Sequence, residues 1–253
     1  MRHRKTFFRC FLLVLFLLPS ACAPKATIPL PVLDYGRIET SGNRILLIFL
    51  RGIGGEYTDF EEYGLIEEVR SRNLPMDIVV PDAHFGYYQT ETIVLRLKED
   101  IVDPARARGY RQIWLAGFSM GGLGSLLYIR EHPEDIDGVM LASPFMGWSW
   151  IREEIQLAGG VRTWQPEESQ FSDWQFLLWS FLHLYASNPE SYPPLYLGYG
   201  KNDFLIGTGP ELLGEVLEKS HVFSLPGGHD YPTFKAIWAE HLNRRENRWR
   251  SVP

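Results

Sequence analysis

Six short apolar runs, at residues 44–50, 77–80, 113–116, 138–142, 195–199 and 222–225, constrain the fold of this chain more than any other feature. None alternates apolar with polar residues, so each reads as a strand covered on both faces. Segments with helical spacing separate them, over 57–72, 91–108, 120–131, 210–219 and 231–244. Strand and helix in alternation imply an α/β architecture, a mostly parallel sheet with helices on both faces. A further edge strand is expected within 32–40.

One stretch interrupts the alternation. About 50 residues separate the run ending at Ala142 from the one starting near Leu195, and they hold Trp148, Trp150, Trp164, Trp174 and Trp179, five of the 8 tryptophans. A segment this long and apolar is no plain loop, and a helical insertion over about 145–190, folded across the sheet, is expected. Two roles are open for it: packing as core, or walling an acyl pocket.

Charge and composition narrow the function classes. The 253 residues are 45% hydrophobic and 22% charged with a formal net charge of -6, ordinary for a globular chain and unlike the basic stripe of a nucleic-acid binder. The Arg244, Arg245, Arg248, Arg250 cluster reads as a solvated helix end complementing the helix dipole. The sequence has no cysteine cluster and no His-Glu-x-x-His segment, so neither a metal nor a cofactor is expected.

The first residues differ from the rest. Arg2, His3, Arg4, Lys5 and Arg9 precede a short apolar run, 10–18, and then Pro19-Ser20-Ala21-Cys22-Ala23. A basic start, a brief apolar stretch and small residues make an export signal over 1–21. Its nine apolar residues fall short of the roughly 20 a lasting membrane span needs. Leu18-Pro19-Ser20-Ala21-Cys22 resembles the lipobox of bacterial lipoproteins, which implies acylation of Cys22 and a membrane-anchored envelope protein. Simple secretion to the periplasm or beyond and a retained signal anchor are the alternatives. Residues 22–31, with Pro24, Pro29 and Pro31, suit an extended tether, leaving 32–253 as the folded domain.

The ends of the apolar runs carry chemistry. Parallel sheets bind ligands beyond the carboxyl ends of their strands. There the chain places Arg51-Gly52-Ile53-Gly54-Gly55, Gly117-Phe118-Ser119-Met120-Gly121, the segment Gly200-Lys201-Asn202-Asp203, and Gly227-Gly228-His229. Gly-x-Ser-x-Gly between a strand and a helix forms a sharp turn that exposes the serine. A serine hydroxyl needs an adjacent base to attack at neutral pH, and an imidazole oriented by a carboxylate supplies it. Ser119, Asp203 and His229 are therefore the candidate nucleophile, acid and base, with the backbone N–H groups of Ile53 and Met120 as oxyanion donors. Asp82 is the rival acid and His84 the rival base; Asp230 reads as the cap of the last helix. Arg51, His84 and Tyr87 are candidate substrate contacts, with Tyr88 beside them.

The span from about Arg44 to His241 resembles an α/β-hydrolase. Gly228-His229-Asp230-Tyr231-Pro232-Thr233 resembles the histidine loop of esterase-D-like and feruloyl-esterase-like serine esterases, and residues 117–122 match their nucleophile motif. The resemblance implies a small-molecule ester substrate cleaved through an acyl-enzyme. Many members carry His-Gly where this chain has Arg51-Gly52, a change that leaves a backbone donor available and alters the charge beside it. Peptidase, thioesterase and acyltransferase activities use the same residues. A non-catalytic envelope binding protein on a hydrolase scaffold is the alternative from another class.

Overall fold

Each of the six apolar runs forms a strand in the computed structural model, which describes residues 24–36, 44–167, 170 and 172–250. The strands are β1 (Val32–Asp34), β2 (Arg44–Leu50), β3 (Met76–Pro81), β4 (Tyr110–Phe118), β5 (Gly138–Ala142), β6 (Leu195–Gly200) and β7 (Val222–Leu225). They form one sheet in the order β1-β3-β2-β4-β5-β6-β7. Only β1, the expected edge strand, runs antiparallel to its neighbour. From β2 the chain winds first to β3 and then back to β4 on the other side. The strand order thus reverses between β2 and β4, the kind of place at which open parallel sheets bind ligands beyond the carboxyl ends of their strands.

The helices are α1 (Asp59–Glu62), α2 (Leu65–Ser71), α3 (Phe85–Gln89), α4 (Ile93–Leu97), α5 (Asp103–Ala107), α6 (Met120–Glu131), α7 (Ser149–Leu157), α8 (Trp174–Ser187), α9 (Gly209–Gly214) and α10 (Tyr231–Arg250). Apolar side chains cover the sheet on both sides, as a run without alternation requires. On β2, Leu46, Ile48 and Leu50 join the core with residues of α6 and α8, while Ile45, Leu47 and Phe49 join the core with residues of α2 and α10. On the second side Phe49 stacks edge-on to Trp238 (4.9 Å), and Phe118 meets Phe60 (5.1 Å) and Phe234 (5.7 Å). Burial of each such ring contributes about 1.5–3 kcal/mol.

Two segments differ from their sequence reading. The described part of the tether, 24–31, is docked on the domain: Thr27 bonds through its backbone and hydroxyl to the Tyr87 hydroxyl, and the Leu30 N–H donates to Asp100 Oδ2 (2.8 Å). Leu30 is buried, which a free linker would not allow. The arginine cluster is not wholly solvated either. α10 runs on to Arg250 because Trp249 is buried edge-on against Trp114 (5.2 Å) and Arg245 lies over the Tyr196 ring at 3.7 Å. The signal segment 1–21 and Cys22 lie outside the described residues. No described helix is long and apolar enough to cross a membrane.

Candidate active site

At the end of β4 the chain turns sharply into α6. Ser119 has φ 52° and ψ -116°, a conformation that costs a non-glycine residue about 1–3 kcal/mol. Four backbone hydrogen bonds hold it: the Ser119 N–H donates to Ala142 O (3.1 Å), and its carbonyl accepts from the N–H groups of Gly122 and Phe145 (both 2.9 Å) and of Leu123 (3.4 Å). The flanking glycines are demanded by contact. A Cβ at Gly121 would lie 2.0 Å from the Leu50 carbonyl oxygen, and one at Gly117 would lie 2.5 Å from the Gly121 carbonyl oxygen. Both obstacles are backbone, so no side-chain movement relieves them, and α6 sits directly on β2 and β4.

The turn aims Ser119 at the other two candidates. Its hydroxyl donates to Nε2 of His229 at 2.8 Å, and Nδ1–H of His229 donates to Asp203 Oδ2 at 2.7 Å. The Asp203 side chain is fully buried, with Oδ1 accepting from the Leu205 N–H (3.3 Å), while His229 keeps a partly exposed edge. The His229 ring rests edge-on against Phe234 (5.1 Å). Backbone bonds zip the two supporting loops together: Lys201 N–H to Leu225 O (2.8 Å) and Asn202 N–H to Gly227 O (2.9 Å). A hydroxyl, imidazole and carboxylate in this chain can generate a nucleophilic oxygen and return its proton to a leaving group.

The loop after β2 closes over the serine. A Cβ at Gly52 would stand 3.3 Å from Ser119 Cβ and 3.8 Å from its hydroxyl oxygen, so Ile53 follows a residue already in contact with the serine. The Ile53 side chain points to solvent, at 53% exposure, and its contribution to a site would come from the backbone. Met120 opens α6 directly after Ser119.

The remaining candidates separate by where their polar atoms go. Arg51 is buried, and its guanidinium donates to Gly55 O and Glu56 Oε2 while Nε faces Asp82 Oδ1 at 3.4 Å. Asp82, the rival acid, is thus paired with Arg51. His84, the rival base, caps α3 by accepting from the Gly86 N–H (3.1 Å). Burial holds its imidazole below the ordinary range, with Asp82 opposing and Arg51 adding to the effect. Tyr87 turns its hydroxyl to Thr27; its neighbour Tyr88 is the one that lines the open groove beside α6. Asp230 caps α10 by accepting from the Thr233 N–H (2.8 Å), and hydrogen bonds from the Thr233 side chain first and then from this N–H hold its carboxyl below the usual range.

The family model described as "Serine aminopeptidase, S33" matches residues 85–180, less than half of the chain, a span with Ser119 but neither Asp203 nor His229. No curated protein sequence matches. Solved structures match over most of both chains. S-formylglutathione hydrolase from Staphylococcus aureus superposes with a TM-score of 0.58 at 13% identity, covering 88% of this chain and 98% of that one. A ferulic acid esterase gives 0.56 at 17% identity, covering 86% and 88%. A bromoperoxidase from Bacillus anthracis gives 0.52 at 17% identity, covering 84% and 93%. The fold is that of the α/β hydrolases. These neighbours carry different activities, so within the α/β-hydrolase fold the chemistry of this chain has to be argued from its own residues.

Within the α/β-hydrolase fold, four residues support the site without a role for them being read from the sequence. Tyr231 bonds to Asp59, and these two side chains crowd Gly55, where a Cβ would lie 2.4 Å from the Tyr231 hydroxyl. With Arg51 on the other side, the loop over Ser119 is gripped twice. Ser143, at φ 44°, accepts from the Gly200 N–H (3.3 Å) and braces the loop that bears Asp203. Phe234 seats the His229 ring. Asp59, Ser143 and Phe234 belong to no motif, and the histidine-loop motif that includes Tyr231 says nothing of its contact with Asp59.

Proposed function

We propose that this protein is a serine hydrolase that cleaves a carboxylic ester. The observation that carries the reading is the continuous hydrogen-bonded chain from the Ser119 hydroxyl through His229 to the buried Asp203 carboxylate. Ser119 Oγ bonds to the acyl carbon as its proton passes to His229 Nε2. Collapse of the tetrahedral intermediate breaks the bond to the alcohol, which leaves with that proton. Water, deprotonated by His229, then attacks the acyl-enzyme and releases the acid with Ser119 restored. Backbone N–H groups of Ile53 and Met120 stabilise the oxyanion in both steps. Asp203 holds His229 with Nδ1 protonated and offsets the charge it acquires.

The S33 description of the partial family match favours a second reading, in which the same residues cleave a peptide. A fluorophosphonate and a panel of esters, thioesters and peptides separate the two. The expected result is labelling of the wild type, none in Ser119→Ala, and ester turnover reduced by at least about 10³-fold in that variant. Persistent labelling of Ser119→Ala removes the nucleophile assignment, preference for peptides selects the second reading, and an unlabelled wild type returns the chain to the binding-protein class. The export signal and the cysteine motif support placement on the envelope membrane through acylated Cys22. Cys22→Ser is expected to leave the membrane fraction; an unchanged distribution contradicts the anchor.

A further inference from the structure

A cavity of about 770 Å³ runs from Met120, the residue next to Ser119, along the outer side of α6. Met120, Leu123 and Leu127 form its floor, a stripe at helical spacing that the sheet leaves uncovered. Phe145, Trp148 and Trp174 from the insertion make one wall, and Tyr88 with Val94 makes the other. Trp148 is 59% exposed although it packs on Phe145 (ring centroids 5.2 Å), an arrangement that suits a wall and not a core. Trp164 and Trp179 of the same insertion are buried, the latter donating to Met146 O (3.0 Å). The insertion therefore does both things the sequence left open, packing with one set of rings and walling the groove with another.

Length and polarity define the occupant. From Met120 to Leu127 the helix rises roughly 10 Å, about the reach of an extended eight-carbon acyl chain. Polar side chains lie at the far end, where Arg130 and Glu131 pair with each other at 2.7 Å, and among the exposed lining residues, where Gln89, Glu91 and Ser172 stand and Asp173 caps α8. The Tyr88 hydroxyl is buried against α6 at the gap left by Gly124, where a Cβ would lie 2.5 Å from it. Over the floor of Met120, Leu123 and Leu127 and against the rings of Phe145 and Trp174, a hydroxylated or charged acyl group would lie without a partner, which an apolar surface penalises. A linear hydrocarbon would not.

We propose that this groove is the acyl site of the hydrolase and that it takes linear, unbranched acyl chains up to about eight carbons. This rests on the ester-hydrolase reading above, and the test keeps the two apart. Wild-type protein is assayed with 4-nitrophenyl esters from acetate to dodecanoate, with a 4-hydroxycinnamate ester, and with a fluorophosphonate in parallel. The expected kcat/KM rises about fourfold per added methylene, from the free energy of burying each one, and levels off near eight carbons. In Leu127→Trp, which fills the far half of the floor, the octanoate-to-acetate ratio falls at least tenfold; a ratio is unaffected by any loss of folded protein. Trp174→Ala, which widens the wall, shifts the plateau to longer chains. Fluorophosphonate labelling with a flat or falling length profile, or with preference for the cinnamate, overturns the groove assignment and leaves the serine hydrolase standing. No labelling and no ester turnover overturn both.

Discussion

The Arg51 guanidinium is turned inward, and its partners are the carbonyl of Gly55, the carboxylate of Glu56 and Asp82 at the end of β3. All of them belong to the frame around Ser119, so the side chain acts on the shape of the loop that bears Ile53. Under the ester-hydrolase reading, Arg51→Met is expected to lower kcat about 10- to 100-fold with KM within about twofold, since loosening the loop proposed to carry an oxyanion donor affects the transition state and not ground-state binding. Arg51→Lys restores part of the rate, having the charge but not the planar fork. Steady-state kinetics on one ester decide it: a raised KM at unchanged kcat makes Arg51 a substrate contact instead. At this scale Ser119, Asp203 and His229 were legible because each follows a strand and their order along the chain is that of a hydrolase. Tyr87 and Tyr88 were not. They lie about 100° apart on a helix of 5 residues, too short for its sequence to indicate which one faces the groove.

Among the elements, strands were read more accurately than helices, and the reason is local. A parallel strand buried on both sides has to be continuously apolar, and the runs at 44–50, 138–142 and 222–225 end where β2, β5 and β7 end. Helical spacing survives interruptions that change the backbone. The segment 57–72 is two helices because Gly64 takes φ 76° between α1 and α2. The segment 91–108 carries a π turn, Lys98–Val102, ahead of Pro104, whose missing N–H breaks the ordinary ladder. The end of α10 was read too short since Arg244 to Arg250 look solvated in sequence, whereas packing of Trp249 and Arg245 on Trp114 and Tyr196 is a long-range contact. The insertion announced itself by composition alone, and composition carries no information on which rings go inside.

Over the whole molecule the last helix is tied to the centre of the sheet through a buried histidine. His241 of α10 donates from Nε2 to Leu141 O of β5 (3.0 Å) and accepts at Nδ1 from Arg245 (3.2 Å), which fixes one neutral tautomer. Burial first, then Arg245, pushes its pKa from 6.5 down to about 3. The unfolded chain therefore binds a proton at this position over a range where the folded chain does not. The contribution to stability is complete above pH 6.5 and is lost as the pH falls towards about 3. Denaturant titrations across that window are expected to show a pH dependence of stability flatter by up to one proton in His241→Gln than in the wild type. Identical slopes contradict the assignment. β5 is also the strand whose Ala142 carbonyl holds the Ser119 N–H, so a global acid transition is expected to be accompanied by loss of fluorophosphonate labelling.

The docked N-terminal segment has a mechanical consequence. Its attachments are Thr27 to Tyr87 and Leu30 to Asp100, before the chain enters β1. A pull applied to the segment from its N-terminal side therefore loads the bonds to Tyr87 of α3 and to Asp100 of the π turn before it reaches β1. Tyr87 receives that load, and Tyr88, one residue along the same short helix, forms a wall of the groove. A leash fastened at this point would link mechanical tension to the width of the groove.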